Sequence, residues 1–424
     1  MTRQMLMDNV YLTHVPSEKF KTSFFSAQMA APLRPDTAGL NALLVNVLSR
    51  GTARLPDMTA LGRELDMLYG ARLGPQLRRM GENQVFGFTA SCVDDRFLPP
   101  GEELLEKTAD LMGDMFCAPA LQDGRLRADY ADSERANLID EIRSIVNDKR
   151  VYAARRLLEE MCAGEPYSVR LMGSAEDMER ITPEALDSHY RAVLPQGRLE
   201  LFYCGSAPLE RVAGAFTRAF ARLPRQGLLE PAATTRRSAP PEPRVVTEEM
   251  DVSQGKLGMG FRTQCPDVPA NLMLDAMFGG TSTSKLFLNV RERLSLCYYA
   301  GSSYHRLKGL VTVSSGIECE NYEQAVSEIS AQLEALKAGA WEDWELQGAR
   351  SSLCSGLRSM EDSAASLEDF VMGQAAAGGE ETIPGLLEDV RQVTPERIRA
   401  AAGAVRPDTV YFLRGREGQA HEAL

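Results

Sequence analysis

The feature that most constrains this 424-residue chain is an internal repeat. A Gly-Thr pair ends an apolar helical run at LSRGT (48–52) and again at FGGT (278–281). Each pair precedes a second predicted helical segment that ends in an aromatic residue, RELDMLYGA (63–71) and RERLSLCYYA (291–300). Gly51 and Gly280 are 229 positions apart (280 − 51), and so are Tyr69 and Tyr298 (298 − 69). Equal spacing at two features predicts a duplicated unit.

The pattern of predicted elements after the Gly-Thr pair is also repeated. Each half has a run typical of a β-strand, VFGFTASCV or LVTVSSGIE, followed by an amphipathic helical pattern, EELLEKTADLM or YEQAVSEISAQLEAL. Each half ends with a Thr-Pro helix start, ITPEALDSHY or VTPERIRAAA, and a further strand. We therefore predict an α+β fold made by duplication of a roughly 200-residue unit, with helices covering one face of antiparallel or mixed sheets.

A Pro-rich stretch without periodicity lies near the middle of the chain, at RLPRQGLLEPAATTRRSAPPEPR (222–244). Proline can neither continue a helix nor pair in a central strand, so this stretch is predicted to be an extended linker. The predicted halves are therefore residues 1–221 and residues 245–424.

Charge and composition exclude several classes of partner. The formal charge is −12 and no basic block occurs, which argues against a nucleic-acid surface or an anionic membrane surface. The N-terminal stretch lacks the apolar run of a secretory signal, and no run is long enough to span a bilayer. The eight cysteines are scattered without a C-x-x-C pair, which favours a reducing compartment. We expect a cytoplasmic protein.

The segment GLNALLVNVLSRGT (39–52) is predicted to be an amphipathic helix. Its apolar stripe has the i, i+3, i+4, i+7, i+8 spacing of one helix face, and Gly51 is a predicted left-handed stop after the last turn. The opposite face carries an unusual set of side chains: Asn41, Ala42, Val45 and Asn46.

Several segments together resemble the insulinase/pitrilysin-like metallopeptidases, whose zinc motif is H-x-x-E-H. They are the G-L-x(10)-G-T segment at 39–52, the helix SERANLIDEIRSIVND and the segment SKLFLNVRERLSLCYYA, within duplicated α+β halves. The resemblance extends from about Val10 to Phe412. It implies a clamshell of two homologous halves, with the fold of the mitochondrial processing peptidases.

The resemblance also assigns the zinc-binding positions. In the motif two histidines at i and i+4 bind zinc, the intervening glutamate is the general base, and a distant carboxylate is the third ligand. Counted back from the Gly-Thr pair, the three motif positions fall on Ala42, Val45 and Asn46. Alanine and valine have no ligand or base atom, and an asparagine amide is a poor zinc ligand. Only the third-ligand position is kept, at Glu141, with Glu134 seven residues earlier. The expectation is that zinc is absent and that these positions are not catalytic.

The same residues also permit a purely structural interpretation. Glu134 and Glu141 stand among Asp132, Asp140, Arg135 and Arg143, a composition typical of a solvated helix with intrahelical ion pairs. Ala42 and Val45 are equally suited to packing against a neighbouring helix.

The resemblance implies a second set of positions, Arg291 and Tyr298, where catalytic members hydrogen-bond the bound peptide. Seven residues is two helical turns, so both side chains can face one side if the helix continues that far. The alternative is a core tyrosine and a solvent-exposed arginine paired with Glu292 or Asp275. Arg291 and Tyr298 are thus predicted substrate-binding residues.

The predicted function is that of a non-catalytic, peptidase-like subunit in peptide or protein processing or modification. Its expected partners are a peptide or protein substrate and an active H-x-x-E-H homologue, or a second copy of itself. The closest resemblance is to bacterial insulinase-like proteins associated with aminopentanol modification of elongation factor P. Two alternatives remain: a structural homodimer, and an active zinc peptidase whose unrecognised site uses the histidines His14, His189, His305 or His421.

Overall fold

The structure is a computed structural model that describes residues 1–415. The chain divides into two compact units. Unit 1 comprises Met1–Arg143, Val169–Ala233 and Ala364–Gly378. Unit 2 comprises Ser144–Ser168, Thr234–Ser363 and the described residues from Gly379 onward.

Unit 1 is built on a six-stranded sheet. Its strands are β1 (Thr2–Met7), β2 (Val10–Pro16), β3 (Thr22–Pro32), β4 (Arg72–Met80), β5 (Asn83–Val93), β6 (Leu121–Gln122), β7 (Arg125–Leu126) and β8 (Arg198–Gly205). The short β6 and β7 form a separate ribbon, and the others are ordered β1-β2-β8-β3-β5-β4. All neighbours in the large sheet are antiparallel except β2 and β8, which are parallel.

Unit 2 repeats this topology in a five-stranded sheet. Its strands are β9 (Arg244–Met250), β10 (Gly255–Thr263), β11 (Cys297–His305), β12 (Leu310–Ile317) and β13 (Val405–Gly415). They are ordered β11-β12-β10-β13-β9, and the parallel pair is β13 with β9. This order and direction match β4-β5-β3-β8-β2 of unit 1, strand for strand. The prediction of a duplicated α+β fold is confirmed.

The helices surround these two sheets. The α-helices are α1 (Pro35–Leu48), α2 (Met58–Met67), α3 (Leu104–Cys117), α4 (Ala128–Ser144), α5 (Lys149–Met161), α6 (Ala175–Glu179), α7 (Pro183–Gln196), α8 (Leu209–Ala219), α9 (Val268–Asp275), α10 (Tyr322–Ala338), α11 (Asp343–Met360), α12 (Ala364–Ala377), α13 (Ile383–Arg391) and α14 (Pro395–Gly403). Two π-helices follow α9, at Ala276–Gly280 and Leu286–Arg293. Short 3₁₀-helices lie at Asp95–Phe97, Ile145–Asn147, Pro166–Ser168 and Cys319–Asn321. No helix among residues 1–415 has both the length and the apolar character needed to cross a bilayer.

The repeated Thr-Pro segments form helices as predicted. Thr182 and Thr394 are the N-caps of α7 and α14, and each hydroxyl accepts a hydrogen bond from the backbone N–H three residues later. The threonine satisfies a backbone donor that the first turn leaves unpaired, and the following proline fits the first helical position. A strand follows each helix, β8 or β13, as the repeat predicts.

Each sheet is packed against one helix from the opposite half of the sequence. Helix α5 precedes the Pro-rich stretch but belongs to unit 2, where Leu157 and Met161 pack closely on Gly258 and Gly260 of β10. Helix α12 follows that stretch but belongs to unit 1, where Glu368 accepts two 2.7 Å hydrogen bonds from Arg78 of β4. The compact units therefore exchange these helices relative to the linear halves, whose boundaries at 221 and 245 stay a prediction of the duplication.

Candidate functional site

The site predicted from the sequence begins on α1, which is buried on almost every side. The predicted apolar stripe is buried at four of its five positions, but residues of the opposite face, including Asn41 and Ala42, are buried as well. Strands β4 and β5 and helices α6 and α7 surround α1. The helix is therefore not amphipathic as predicted, because neighbouring elements cover both of its faces. The alternative that Ala42 and Val45 pack against neighbouring elements agrees with their burial.

None of the three zinc-motif positions offers a ligand to a metal. Ala42 and Val45 are 0% and 2% exposed and belong to the core of unit 1. Asn46 is partly buried, and its Nδ2 donates a 2.8 Å hydrogen bond to the carbonyl oxygen of Ala42. The amide is thus bonded to its own helix backbone, one turn earlier. These residues do not fit a zinc ion.

Asn41, beside the motif positions, organises a buried polar network. His189 of α7 lies with its Nε2 2.7 Å from Asn41 Oδ1, and Asn41 Nδ2 donates to Gln84 of β5 at 2.8 Å. Gln84 in turn donates to the carbonyl oxygens of Ala38 and Leu171. Burial lowers the pKa of His189 to about 4, so the ring is neutral at pH 7. Sequence analysis noted Asn41 as an unusual residue, but its partners come from distant segments.

The Gly-Thr pair after α1 shapes the next turn rather than acting as a left-handed stop. Gly51 has φ +159°, and a Cβ atom there would lie 2.5 Å from the carbonyl oxygen of Leu55. Thr52 pairs with Leu55 through a 2.7 Å backbone hydrogen bond and a 3.0 Å bond to the threonine hydroxyl. The predicted left-handed conformation of Gly51 is wrong, and close backbone approach is what requires glycine here.

The retained carboxylates lie on α4. Glu134 accepts a 2.6 Å hydrogen bond from Arg50, whose guanidinium also stacks over Tyr130 at 5.0 Å from the ring centre. Asn137 donates a further 3.3 Å bond to Glu134. Glu141, the third-ligand position, is exposed on the same helix. The Arg50 guanidinium therefore neutralises the carboxylate of Glu134.

The structural interpretation of α4 holds in part. Arg135 pairs with Asp132 at 2.8 Å within the helix, as its composition suggested. Arg143 instead bonds Glu179 of α6 at 2.6 Å, so not all of its ion pairs are intrahelical. Surface pairs of this kind contribute little to stability.

The three histidines within residues 1–415 do not assemble a substitute metal site. His14 Nε2 lies 2.8 Å from the carbonyl oxygen of Ala207, and His305 Nε2 lies 3.0 Å from the Thr312 hydroxyl. His421 lies outside the described residues. Across residues 1–415 no three His, Cys, Asp or Glu side chains come together in a way that could hold a metal ion. This finding gives the alternative of an unrecognised zinc site no support in that part of the chain.

Arg291 and Tyr298 lie in unit 2, on different elements. The π-helix ends at Arg293, Ser295 has φ +50°, and Tyr298 stands at the start of β11. The helix does not continue to Tyr298, so the two-turn argument for a shared face does not apply.

The alternative interpretation, a core tyrosine and a solvent-exposed paired arginine, agrees with the structure for Arg291 but not for Tyr298. Tyr298 is 66% exposed and donates a 3.2 Å hydrogen bond to Glu318, so it is not a core residue. Arg291 pairs with Glu292 at 3.6 Å, one of the two partners expected for a solvent-exposed arginine. A substrate-binding role for Arg291 and Tyr298 stays a prediction.

Comparisons with known proteins agree with this picture. The family model described as the peptidase M16 inactive domain matches residues 180–353. The chain is 36% identical to "Probable inactive metalloprotease YmfF" of Bacillus subtilis strain 168, over 95% of each chain. It is 19% identical to "Uncharacterized zinc protease YmxG" of the same strain, over 87% of this chain and 86% of that one. A crystal structure of a conserved protein from Enterococcus faecalis V583 superposes with a TM-score of 0.90 at 25% identity, over 99% of each chain.

Fold and site together define a peptidase-like chain in which helix α1 is part of a hydrophobic core. The comparisons give that class its family. The chain belongs to the M16, or insulinase-like, peptidase family and is a non-catalytic member of it.

Proposed function

We propose that this chain is a non-catalytic subunit that acts beside an active H-x-x-E-H relative in peptide or protein processing or modification. One observation carries the proposal. Ala42 and Val45, at two of the motif positions, are buried in the core of unit 1, and Asn46, at the third, bonds to the backbone of its own helix. A chain that keeps the duplicated fold without this chemistry is suited to binding rather than to hydrolysis. Zinc is not required for the proposed role.

The relatives in one organism support a pairing of this kind. Bacillus subtilis strain 168 has both a relative named as a probable inactive metalloprotease and a relative named as a zinc protease. We propose the same arrangement here, with this chain in a heteromer with the active homologue of its own genome. A cytoplasmic location and a link to elongation factor P modification belong to the same proposal. The first is supported by the cysteine pattern, and the second rests on the sequence resemblance alone.

The test is co-expression of this chain with the active homologue of its own genome, followed by purification through a tag on this chain. We expect a stable complex, isolated chain without stoichiometric zinc, and peptide cleavage by the partner that changes when this chain is added. Tagged elongation factor P provides a second bait for the modification role.

Three outcomes would contradict the proposal. One is stoichiometric zinc in the isolated chain together with cleavage that Glu141→Gln abolishes, which would favour an unrecognised active site. Another is a stable homodimer that does not bind the active homologue, which would favour the structural alternative. The third is partner activity that is unchanged in the complex. Failure to enrich elongation factor P or its enzymes would remove that link alone.

A further inference from the structure

Unit 2 contains a groove of about 660 Å³ between α5 and its sheet. Helix α5 forms one wall, and residues of β10, β11 and β12 form the floor, which is rich in glycine and hydroxyl side chains: Gly258, Gly301, Ser302, Ser303, Thr312 and Ser314. Volumes of this size are typical of small-ligand or short-peptide sites.

The two units differ at this sheet face. In unit 1, α12 contacts β3, β8 and also the edge strand β4, where Arg78 binds Glu368 of the helix. In unit 2, α5 packs mainly on β10 and β13, whose matching strands in unit 1 are β3 and β8. Counted from the hairpin ends, Ser303 of β11 stands where β4 has Arg78, and Ser303 is exposed in the groove. Both helices cover the two matching inner strands, and the groove of unit 2 lies beside the edge strand β11, which matches the strand β4 that α12 contacts in unit 1.

Helix α5 turns one face to the sheet and another to the groove. Leu157 and Met161 pack on the glycines of β10. Val151, Ala154 and Leu158, at i, i+3 and i+7, line the groove. The groove wall from Asp148 to Leu158 is about 15 Å long at the rise of an α-helix, which matches four or five extended residues.

The groove has a basic end at the start of α5. The Arg150 guanidinium lies 4.4 Å from the ring centre of Tyr299, and Lys256 beside it donates a 2.6 Å bond to the amide of Gln254. Neither cation forms an ion pair within residues 1–415. Asp148, the acidic residue of this end, accepts hydrogen bonds from the first backbone N–H groups of α5, which balances much of its charge.

The remaining charged groups of the groove already have partners. Arg155 pairs with Glu159 at 2.8 Å on the same helix. His305 bonds the Thr312 hydroxyl at 3.0 Å. The groove thus combines an apolar wall, a hydroxyl floor and, at one end, the Arg150 guanidinium, for which no ion pair is found within residues 1–415.

We propose that this groove binds a short extended peptide whose acidic end lies at Arg150. The apolar wall suits small side chains, the hydroxyls of Ser303, Thr312 and Ser314 suit the peptide backbone, and a guanidinium forms strong paired hydrogen bonds with a carboxylate. A small anion would use only the basic end, whereas a peptide also uses the 15 Å wall. The inference concerns the isolated chain and does not depend on the proposed partner.

Fluorescence anisotropy with two labelled hexapeptides tests the proposal on the full chain. The acidic probe is Gly-Ser-Ala-Ser-Glu-Glu with a free carboxyl terminus, and the neutral probe carries Gln-Gln and an amidated terminus. We expect the acidic probe to bind at least tenfold more tightly than the neutral one. Arg150→Glu should weaken binding of the acidic probe at least tenfold, since one charge-assisted bond accounts for such a factor.

Two further variants complete the test. Lys149→Glu makes the same charge change on the neighbouring residue, which does not line the groove, and should alter affinity less than threefold. Ser303→Trp fills the groove from an exposed floor position and should abolish binding even if Arg150→Glu fails to fold, as judged by circular dichroism. Equal affinity for both probes, equal losses in Arg150→Glu and Lys149→Glu, no binding at 1 mM probe, or inorganic phosphate binding as tightly as the acidic probe would each overturn the proposal.

Discussion

Nη1 of Arg50 lies 2.6 Å from Oε1 of Glu134, so the segment just after α1 is joined to α4 by an ion pair. The Arg50 guanidinium also stacks over the ring of Tyr130, which is on α4 as well. Apolar residues of α1 and of α4 belong to the same hydrophobic core of unit 1. The ion pair and this shared core together stabilise the position of α4 in unit 1.

A double-mutant cycle measures the contribution of this ion pair. Arg50→Ala and Glu134→Ala are each expected to destabilise the chain by about 1–2 kcal/mol, with a coupling of about 1 kcal/mol in urea unfolding. The pair is partly buried and the guanidinium also stacks on Tyr130, so the coupling should exceed that of a surface pair. The matched control is the exposed pair Arg34–Asp36, for which we expect at most about 0.5 kcal/mol. Equal coupling in both pairs would contradict this account.

Restoring the zinc motif should not restore zinc binding. The triple variant Ala42→His, Val45→Glu and Asn46→His places an imidazole and a carboxylate where two buried apolar residues now pack, and a second imidazole at the partly buried Asn46. We expect a loss of several kcal/mol in unfolding free energy and less than stoichiometric zinc by elemental analysis. Asn46→His alone, at the partly buried position, should cost much less. A stable triple variant with one zinc per chain would contradict this expectation, because it would show that the fold still has room for the ligands and lacks only their side chains.

The elements of the fold were largely predictable because they depend on local signals. The alternating run at 85–93 lies within β5, and the Thr-Pro pairs begin α7 and α14 as predicted. These signals reside in neighbouring residues, so a single sequence contains them. The repeat spacing also predicted that the second half repeats the elements of the first in the same order, because one offset relates the matching segments of both halves.

The features that were missed depend on long-range contacts. The exchange of α5 and α12 between the units leaves no local signal, and neither does the pairing of Arg50 with Glu134. The predicted amphipathic character of α1 is wrong because sequence periodicity does not show that β4, β5 and α7 pack around the helix. Gly51 was correctly singled out, but its reason is the position of Leu55, which only the folded turn fixes.

Gly51→Ala should therefore be strongly destabilising for a steric reason. The new Cβ would lie 2.5 Å from the Leu55 carbonyl oxygen and 2.9 Å from that of Pro56, both backbone atoms that cannot move alone. We expect a loss of at least about 2 kcal/mol in unfolding free energy. Gly62→Ala is the matched control, because α2 has open space there and alanine favours a helix, so stability should rise by about 0.5–1 kcal/mol. Similar effects at both glycines would contradict the steric explanation.

His189 should make the chain less stable in acid. Burial lowers its pKa to about 4, below the unfolded value of about 6.5, so the unfolded state binds the extra proton between these values. The contribution of neutral His189 is complete above pH 6.5 and is lost as pH falls toward 4, by about 3 kcal/mol. His189→Gln keeps a donor for Asn41 but cannot titrate. As pH falls from 6.5 to 4, the wild type should therefore lose stability relative to this variant. A difference that is constant with pH would contradict the shifted pKa.

Asp275 should have the opposite effect in nearly the same pH range. Burial raises its pKa to about 6, although Ser302 donates a 2.6 Å hydrogen bond to Oδ1. A raised carboxyl pKa means that the folded state holds the proton more tightly, so stability is greatest below about pH 4 and decreases until about pH 6. The expected loss is about 2–3 kcal/mol, and it nearly cancels the gain from His189 in the wild-type chain.

Asp275→Asn separates the two effects. The amide keeps an acceptor for Ser302 but cannot ionise, so at pH 7 the variant should be more stable than wild type, and its stability should rise with pH between 4 and 6.5 as His189 becomes neutral. Asp267→Asn is the control at the other end of α9. Arg397 lowers the pKa of Asp267, so this variant should lose stability at pH 7 instead. If Asp275→Asn loses stability at pH 7, as Asp267→Asn is expected to, the raised pKa of Asp275 is wrong, because only a carboxyl that is costly to ionise gains from becoming an amide.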